Sequence, residues 1–163
     1  MSLRCTYAID TRERPDDLRR WLEKTFSMEA VSDQPDTLSG SGIRCTIMPQ
    51  TSKDQNLVSR FFGIDSTVII RCKIGTENYD SANIEKAAQL ALVLIGRDSS
   101  DLVLLKIGER GQLLRKNNQI YVDCSDPDWK KIWELAFAKA RSSFSHRKLP
   151  NMYSSVYQNP DHV

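Results

Sequence analysis

The chain is poor in the residues that most directly announce a chemistry. Two histidines and four cysteines are its whole supply of imidazole and thiolate ligands, with no Cys-x-x-Cys and no zinc spacing among them. No Gly-x-Gly-x-x-Gly, Gly-x-x-x-x-Gly-Lys or Gly-x-Ser-x-Gly occurs, so the common nucleotide-binding and hydrolase signatures are absent. No apolar run reaches the roughly 18 residues a membrane-spanning helix needs. The opening Met1-Ser-Leu-Arg-Cys-Thr-Tyr7 lacks the basic-then-apolar layout of a signal peptide. A formal net charge of +2 is too near neutral to argue by itself for a polyanion partner. These absences lead to an expectation of a cytoplasmic protein with reduced thiols, no membrane association and no cofactor or metal.

Catalytic readings fare poorly for the same reason. A thiol nucleophile would be Cys124 with His146 or His162, yet nothing in the pattern positions either histidine, and Cys124 reads as a buried thiol at a strand end. Glu109 and Asp101 are the acid–base candidates, but Glu109 sits in a Gly-Glu-Arg-Gly turn, where a charged tip is ordinarily solvated. No catalytic, cofactor-binding or metal-binding residue is assigned, and the chain is read as not an enzyme.

What is present is pattern. Leu3, Cys5, Tyr7 and Ile9 alternate with Arg4, Thr6 and Ala8, the period of a half-buried strand. Pro15 fits the first turn of a helix running to Phe26, with Asp16 and Asp17 at its positive end. Leu38 to Met48 reads as one strand, weakened or bulged at Gly40 and Gly42. Pro49 to Gln55 reads as a loop, Leu57 to Phe62 as either a short helix or an extended lead-in, and Ser66 to Ile74 as the strongest strand. Ile84, Ala87, Ala88, Ala91, Leu94 and Ile95 mark a central helix, with Gly96 placed just beyond its end. A β-meander follows, over 101–107, 112–116 and 119–123, its second turn being Asn117-Asn118. Ser125-Asp-Pro-Asp128 starts a last helix, capped by Ser125 or Asp126, with Trp129, Ile132, Trp133, Ala136, Phe137 and Ala140 on its apolar stripe.

At 163 residues the chain is most simply one domain, able to bury roughly 70% of the surface it exposes when unfolded. The expected class is α+β: a mainly antiparallel sheet of about five to seven strands, with about three helices largely on one face. Residues 1–145 form that domain, and residues 146–163 form a tail that hugs the surface or frays.

Basic residues gather late, at Lys130, Lys131, Lys139, Arg141, Arg147 and Lys148, with Phe144, Tyr153 and Tyr157 close by. Cations and aromatics together can hold phosphates and stack bases. Cations late in a helix also complement its dipole, and residues 10–36 compensate with eight acids against five bases, so nucleic acid is disfavoured. A nucleic-acid or regulatory adaptor and a small enzyme without a recognisable motif remain the alternatives from other classes.

The segment from Arg60 to Trp129 resembles the swarming-inhibition (Sit-type) immunity proteins of bacterial polymorphic-toxin systems. The residues that carry the likeness are Phe62-Gly63, Arg71-Cys-Lys73, the helix from Asn83 to Gly96 and Asp101-Leu-Val-Leu-Leu105. Gly108-Glu109, Leu113-Leu-Arg115, Ile120-Tyr-Val122 and Trp129 complete it. The resemblance implies a non-enzymatic cytoplasmic antitoxin that binds the C-terminal domain of a cognate toxin and covers its active site or a nearby surface. Arg141, Arg147, Tyr153 and Tyr157 are the partner-binding candidates by residue type and expected exposure, since arginine and aromatic side chains dominate binding energy. The free edge of the 119–123 strand could take a partner strand or a second copy in a homodimer.

Overall fold

The sheet is built around the first strand of the chain. In the computed structural model, which describes residues 2–75, 81–106, 110–140 and 142–152, nine strands pair into one sheet. They are β1 (Leu3–Ile9), β2 (Glu29–Val31), β3 (Gln34–Gly40), β4 (Ile43–Pro49), β5 (Val68–Ile74), β6 (Leu102–Lys106), β7 (Arg110–Lys116), β8 (Gln119–Asp123) and β9 (Ser145–Arg147). Their order is β2-β3-β4-β5-β1-β6-β7-β8-β9, so β1 lies between two strands that come much later in the chain. Every neighbouring pair is antiparallel except β8 with β9. The helices are α1 (Pro15–Phe26), α2 (Ser52–Phe62), α3 (Ser81–Arg97) and α4 (Pro127–Ala140).

The class is α+β as expected, but the nine strands exceed five to seven and the four helices exceed three. Part of the difference lies in one turn. Gly40 and Gly42 do not bulge a single strand over 38–48: Ser41 and Gly42 both take positive φ, at 55° and 75°, and close a tight hairpin between β3 and β4. Two consecutive left-handed residues give a turn whose twist matches paired strands, and glycine reaches that region without a Cβ penalty. The 57–62 segment, open between helix and extended chain, is helical. Its helix begins at Ser52, inside the stretch 49–55 expected to be a loop, whose first residue, Pro49, ends β4. Gly96 lies inside α3 rather than beyond it, and it is not among the positive-φ glycines. At the meander's second turn Asn117 and Asn118 take φ of 52° and 63°, as that hairpin requires. The first meander turn, expected over 108–111, falls partly on 107–109, which lie outside the described residues, while Arg110 and Gly111 belong to β7.

Alternation sends the strand residues to two cores. On one face, α1, α3 and α4 bury Leu18, Leu22, Ile84, Ala91, Trp133 and Phe137 against Leu3, Tyr7, Ile70, Leu104 and Val122. The Tyr7 hydroxyl donates to the Ala87 carbonyl of α3 at 2.6 Å, fastening the central strand to the central helix. The opposite face carries a smaller core, where Val58 and Phe62 of α2 meet Ala8, Ile69, Val103 and Leu114 with Leu149 and Met152. Buried Asp123 accepts the Leu149 N–H at 3.0 Å, which holds the chain after β9 across this second core.

Two polar side chains join the elements. Arg115 of β7, buried, donates to the carbonyls of Ile95 at 2.7 Å and Ser100 at 2.8 Å, closing the end of α3. Asp126 is the cap of α4: its Oδ1 accepts the Asp128 N–H at 3.1 Å and its Oδ2 accepts the Lys106 ammonium at 3.0 Å. The 119–123 strand is not a free edge, because β9 pairs with it from Tyr121 to Asp123. The outermost strands are β2 and β9.

Candidate functional site

The sheet register arranges the face opposite α1, α3 and α4 in rows. One row runs Glu29, Ser39, Arg44, Lys73, Arg4 across five adjacent strands. The next runs Thr37, Thr46, Arg71, Thr6, Leu105. A third, Met48, Ile69, Ala8, Val103, Leu114, Tyr121, is the apolar floor beneath α2 and the 149–152 segment. One half of this face is thus greasy and covered, while the other is cationic, with Arg4, Arg44, Arg71 and Lys73 all exposed.

The cationic half comes from three copies of one tripeptide pattern: Arg4-Cys-Thr6, Arg44-Cys-Thr46 and Arg71-Cys-Lys73. Each central cysteine points to the helix side, where Cys5, Cys72 and Cys45 stand in register across β1, β5 and β4. The flanking residues therefore emerge together on the other face. Cys45 and Cys72 Sγ lie 3.0 Å apart, and both are free thiols. Burial, then hydrogen bonding with Cys45 and Cys5, pushes the Cys72 thiol well above its ordinary pKa, so it stays protonated and inert as a nucleophile. Cys124, expected to be buried, is exposed just past the end of β8. On the open side, Arg4, Thr6, Arg44, Thr46, Arg71 and Lys73 line a shallow depression of about 410 Å³.

A second concavity, about 480 Å³, lies where α2 meets β7 and β8, with Phe61, Lys116, Gln119, Tyr121 and Arg147 among its walls. Of the four partner-binding candidates named from the sequence, Arg147 is the one described: it is exposed on β9 with its guanidinium 5.4 Å from the centre of the Tyr121 ring. Arg141, Tyr153 and Tyr157 lie outside the described residues. His146 stands 3.5 Å from Glu134 and edge-on to Phe144. Among the described residues no group of three or more His, Cys, Asp or Glu is placed to hold a metal ion, and no helix is long and apolar enough to cross a membrane.

The residues that carry the family likeness have structural duties in this arrangement. Phe62, Leu113, Val122 and Trp129 are core, and Arg115 closes α3. Arg71 and Lys73 are exceptions, since both reach the open face. The SitI3-like family matches residues 3–133, from the first residue of β1 into the second turn of α4. The chain belongs to the SitI3-like family. That makes it a member of a Sit-type immunity protein family, and the whole cationic half of the open face falls inside the matched span, whereas Arg141, Arg147, Tyr153 and Tyr157 fall beyond it. No curated protein and no solved structure matches the chain.

The cationic rows escape a reading that takes one segment at a time. Arg4, Arg44 and Arg71 are far apart in sequence, and only strand register assembles them. The thrice-repeated Arg-Cys pattern inside three strand segments is the signal that could have found them.

Proposed function

We propose that this SitI3-like protein is an immunity protein that binds a cognate toxin domain by direct protein–protein contact in the cytoplasm and neutralises it without catalysing any reaction. The family match over residues 3–133 carries this reading. The fold supports it: a wide sheet backed by a packed helical layer is a rigid platform, and rigidity lowers the ordering cost of binding. Arg141, Arg147, Tyr153 and Tyr157 stay in the proposal as partner-binding anchors by residue type, and of these Arg147 holds its guanidinium 5.4 Å from the centre of the Tyr121 ring.

The test is survival of a bacterial host expressing the toxin-like C-terminal domain encoded beside this gene, with and without this chain. Rescue by this protein and not by an unrelated immunity protein is the expected result. A toxic neighbour left unrescued while this chain is soluble and folded would end the immunity reading.

A further inference from the structure

We infer that the cationic half of the open face, centred on Arg4, Lys73 and Arg44, is where an acidic segment of the toxin docks. This rests on the immunity reading and names the surface that performs it. Three observations converge. Arg44, Lys73 and Arg4 stand directly opposite one another on adjacent antiparallel strands. Like charges so placed have Cβ atoms only about 5 Å apart and repel, which destabilises a sheet. Among the described residues the fold answers that row through the Arg44 guanidinium, which donates to Gln34 Oε1 at 3.0 Å, whereas a carboxylate-bearing partner turns the remaining repulsion into attraction.

The second observation is local chemistry. Threonine hydroxyls at positions 6 and 46 lie one row away from the cations, so the depression offers hydrogen bonds beside guanidinium groups. Arginine forks match carboxylates in two parallel hydrogen bonds. The third is extent. The cations span three adjacent strands, roughly 10 Å across at the ordinary strand spacing, and Glu29 closes one end of the row. No aromatic ring lines the depression, so it lacks the stacking platform of single-strand nucleic-acid sites. Two or three carboxylates of a protein fill such a patch; a phosphate backbone would overrun it.

The experiment measures affinity of the purified chain for the neighbouring gene's toxin-like domain at about 50 and about 300 mM salt, beside thermal melting and the survival assay. Arg4→Gln/Lys73→Gln is compared with a charge-matched control, Lys24→Gln/Lys131→Gln, at exposed positions of α1 and α4. The open-face pair is expected to weaken binding at least about tenfold and to flatten its salt dependence. Its melting temperature should be unchanged or up to about 2 °C higher, and the control should bind as the parent does. Should the double variant not fold, Lys73→Gln alone is measured, with a smaller loss in the same direction. Unaltered binding by the open-face variants, while the parent chain binds and rescues, overturns this inference and leaves the immunity reading standing. A parent chain that neither binds nor rescues overturns both. Retention of poly-uridine RNA that the open-face variants alone lose, with toxin binding unchanged, assigns the face to nucleic acid and overturns it as well.

Discussion

The two faces of the sheet are made from the same strands, yet they are built to different ends. The helix side is closed: Tyr7, Trp129, Trp133 and Phe137 are wholly or almost wholly buried there, and three helices share it. On the other side a single helix and a short strap cover the apolar row, and the next two rows present threonines and exposed cations. The period of two along each strand lets one sequence satisfy both demands, because Leu3, Cys5 and Tyr7 serve the core while Arg4 and Thr6 stay free to serve something else. Stability is therefore concentrated on one surface of the sheet and the proposed recognition on the other. A protein so divided can change its partner-facing residues without disturbing its core.

The sharpest way to break that comparison is to remove the same kind of mass from each side. Trp133→Ala empties a fully buried site beside Trp129 and Phe137, and should cost about 3–5 kcal/mol in urea denaturation. Arg4→Ala, which truncates a long side chain exposed on the open face, should fall within about 0.5 kcal/mol of the parent. Comparable losses from both would show that the open face is structural too.

A smaller effect tests the polar fastening of the closed side. Burial alone would raise the Asp126 pKa, but the Lys106 hydrogen bond and charge, with the Asp128 and Trp129 N–H groups, hold it below the ordinary value. A carboxylate depressed by folding contributes stability at neutral pH and loses it as pH falls through the folded-state pKa. Asp126→Asn should thus be less stable than the parent by about 1 kcal/mol at pH 7. The gap should close on acidification below about pH 4, followed by chemical denaturation along a pH series. A gap independent of pH would mean that Asp126 acts by shape alone.

The smallest effect comes from α3. Gly96 sits in its last turn, exposed, with open space where a Cβ would go. Gly96→Ala should stabilise by about 0.5–1 kcal/mol, a rise of a few degrees in melting temperature, and should leave toxin binding unchanged.

How legible the fold was depended on whether the deciding physics was local. The β1 alternation, the Pro15 start of α1 and the Asn117-Asn118 hairpin are signalled within a few residues, and each is where the pattern put it. The β3–β4 hairpin was not, because Gly40 and Gly42 fit a bulge as well as a turn until the register with β5 is known. Helix α2 buries mainly Val58 and Phe62, too few apolar positions to separate a helix from an extended chain. The proposed docking face depends wholly on which strands become neighbours, whereas the basic residues from Lys130 to Lys148 are close in sequence and legible without a fold.

The central place of β1 has a consequence in time. β1 gains its partners only when β5 and β6, dozens of residues later in the chain, are available to flank it. Such distant pairing slows folding, since long loops must close before the contacts reward them. Because Arg4, Arg44 and Lys73 become neighbours in that same event, the cationic surface comes into being only with the finished sheet. A truncated or misfolded chain would carry the same charges without the surface, and only completed molecules would be competent to capture a partner.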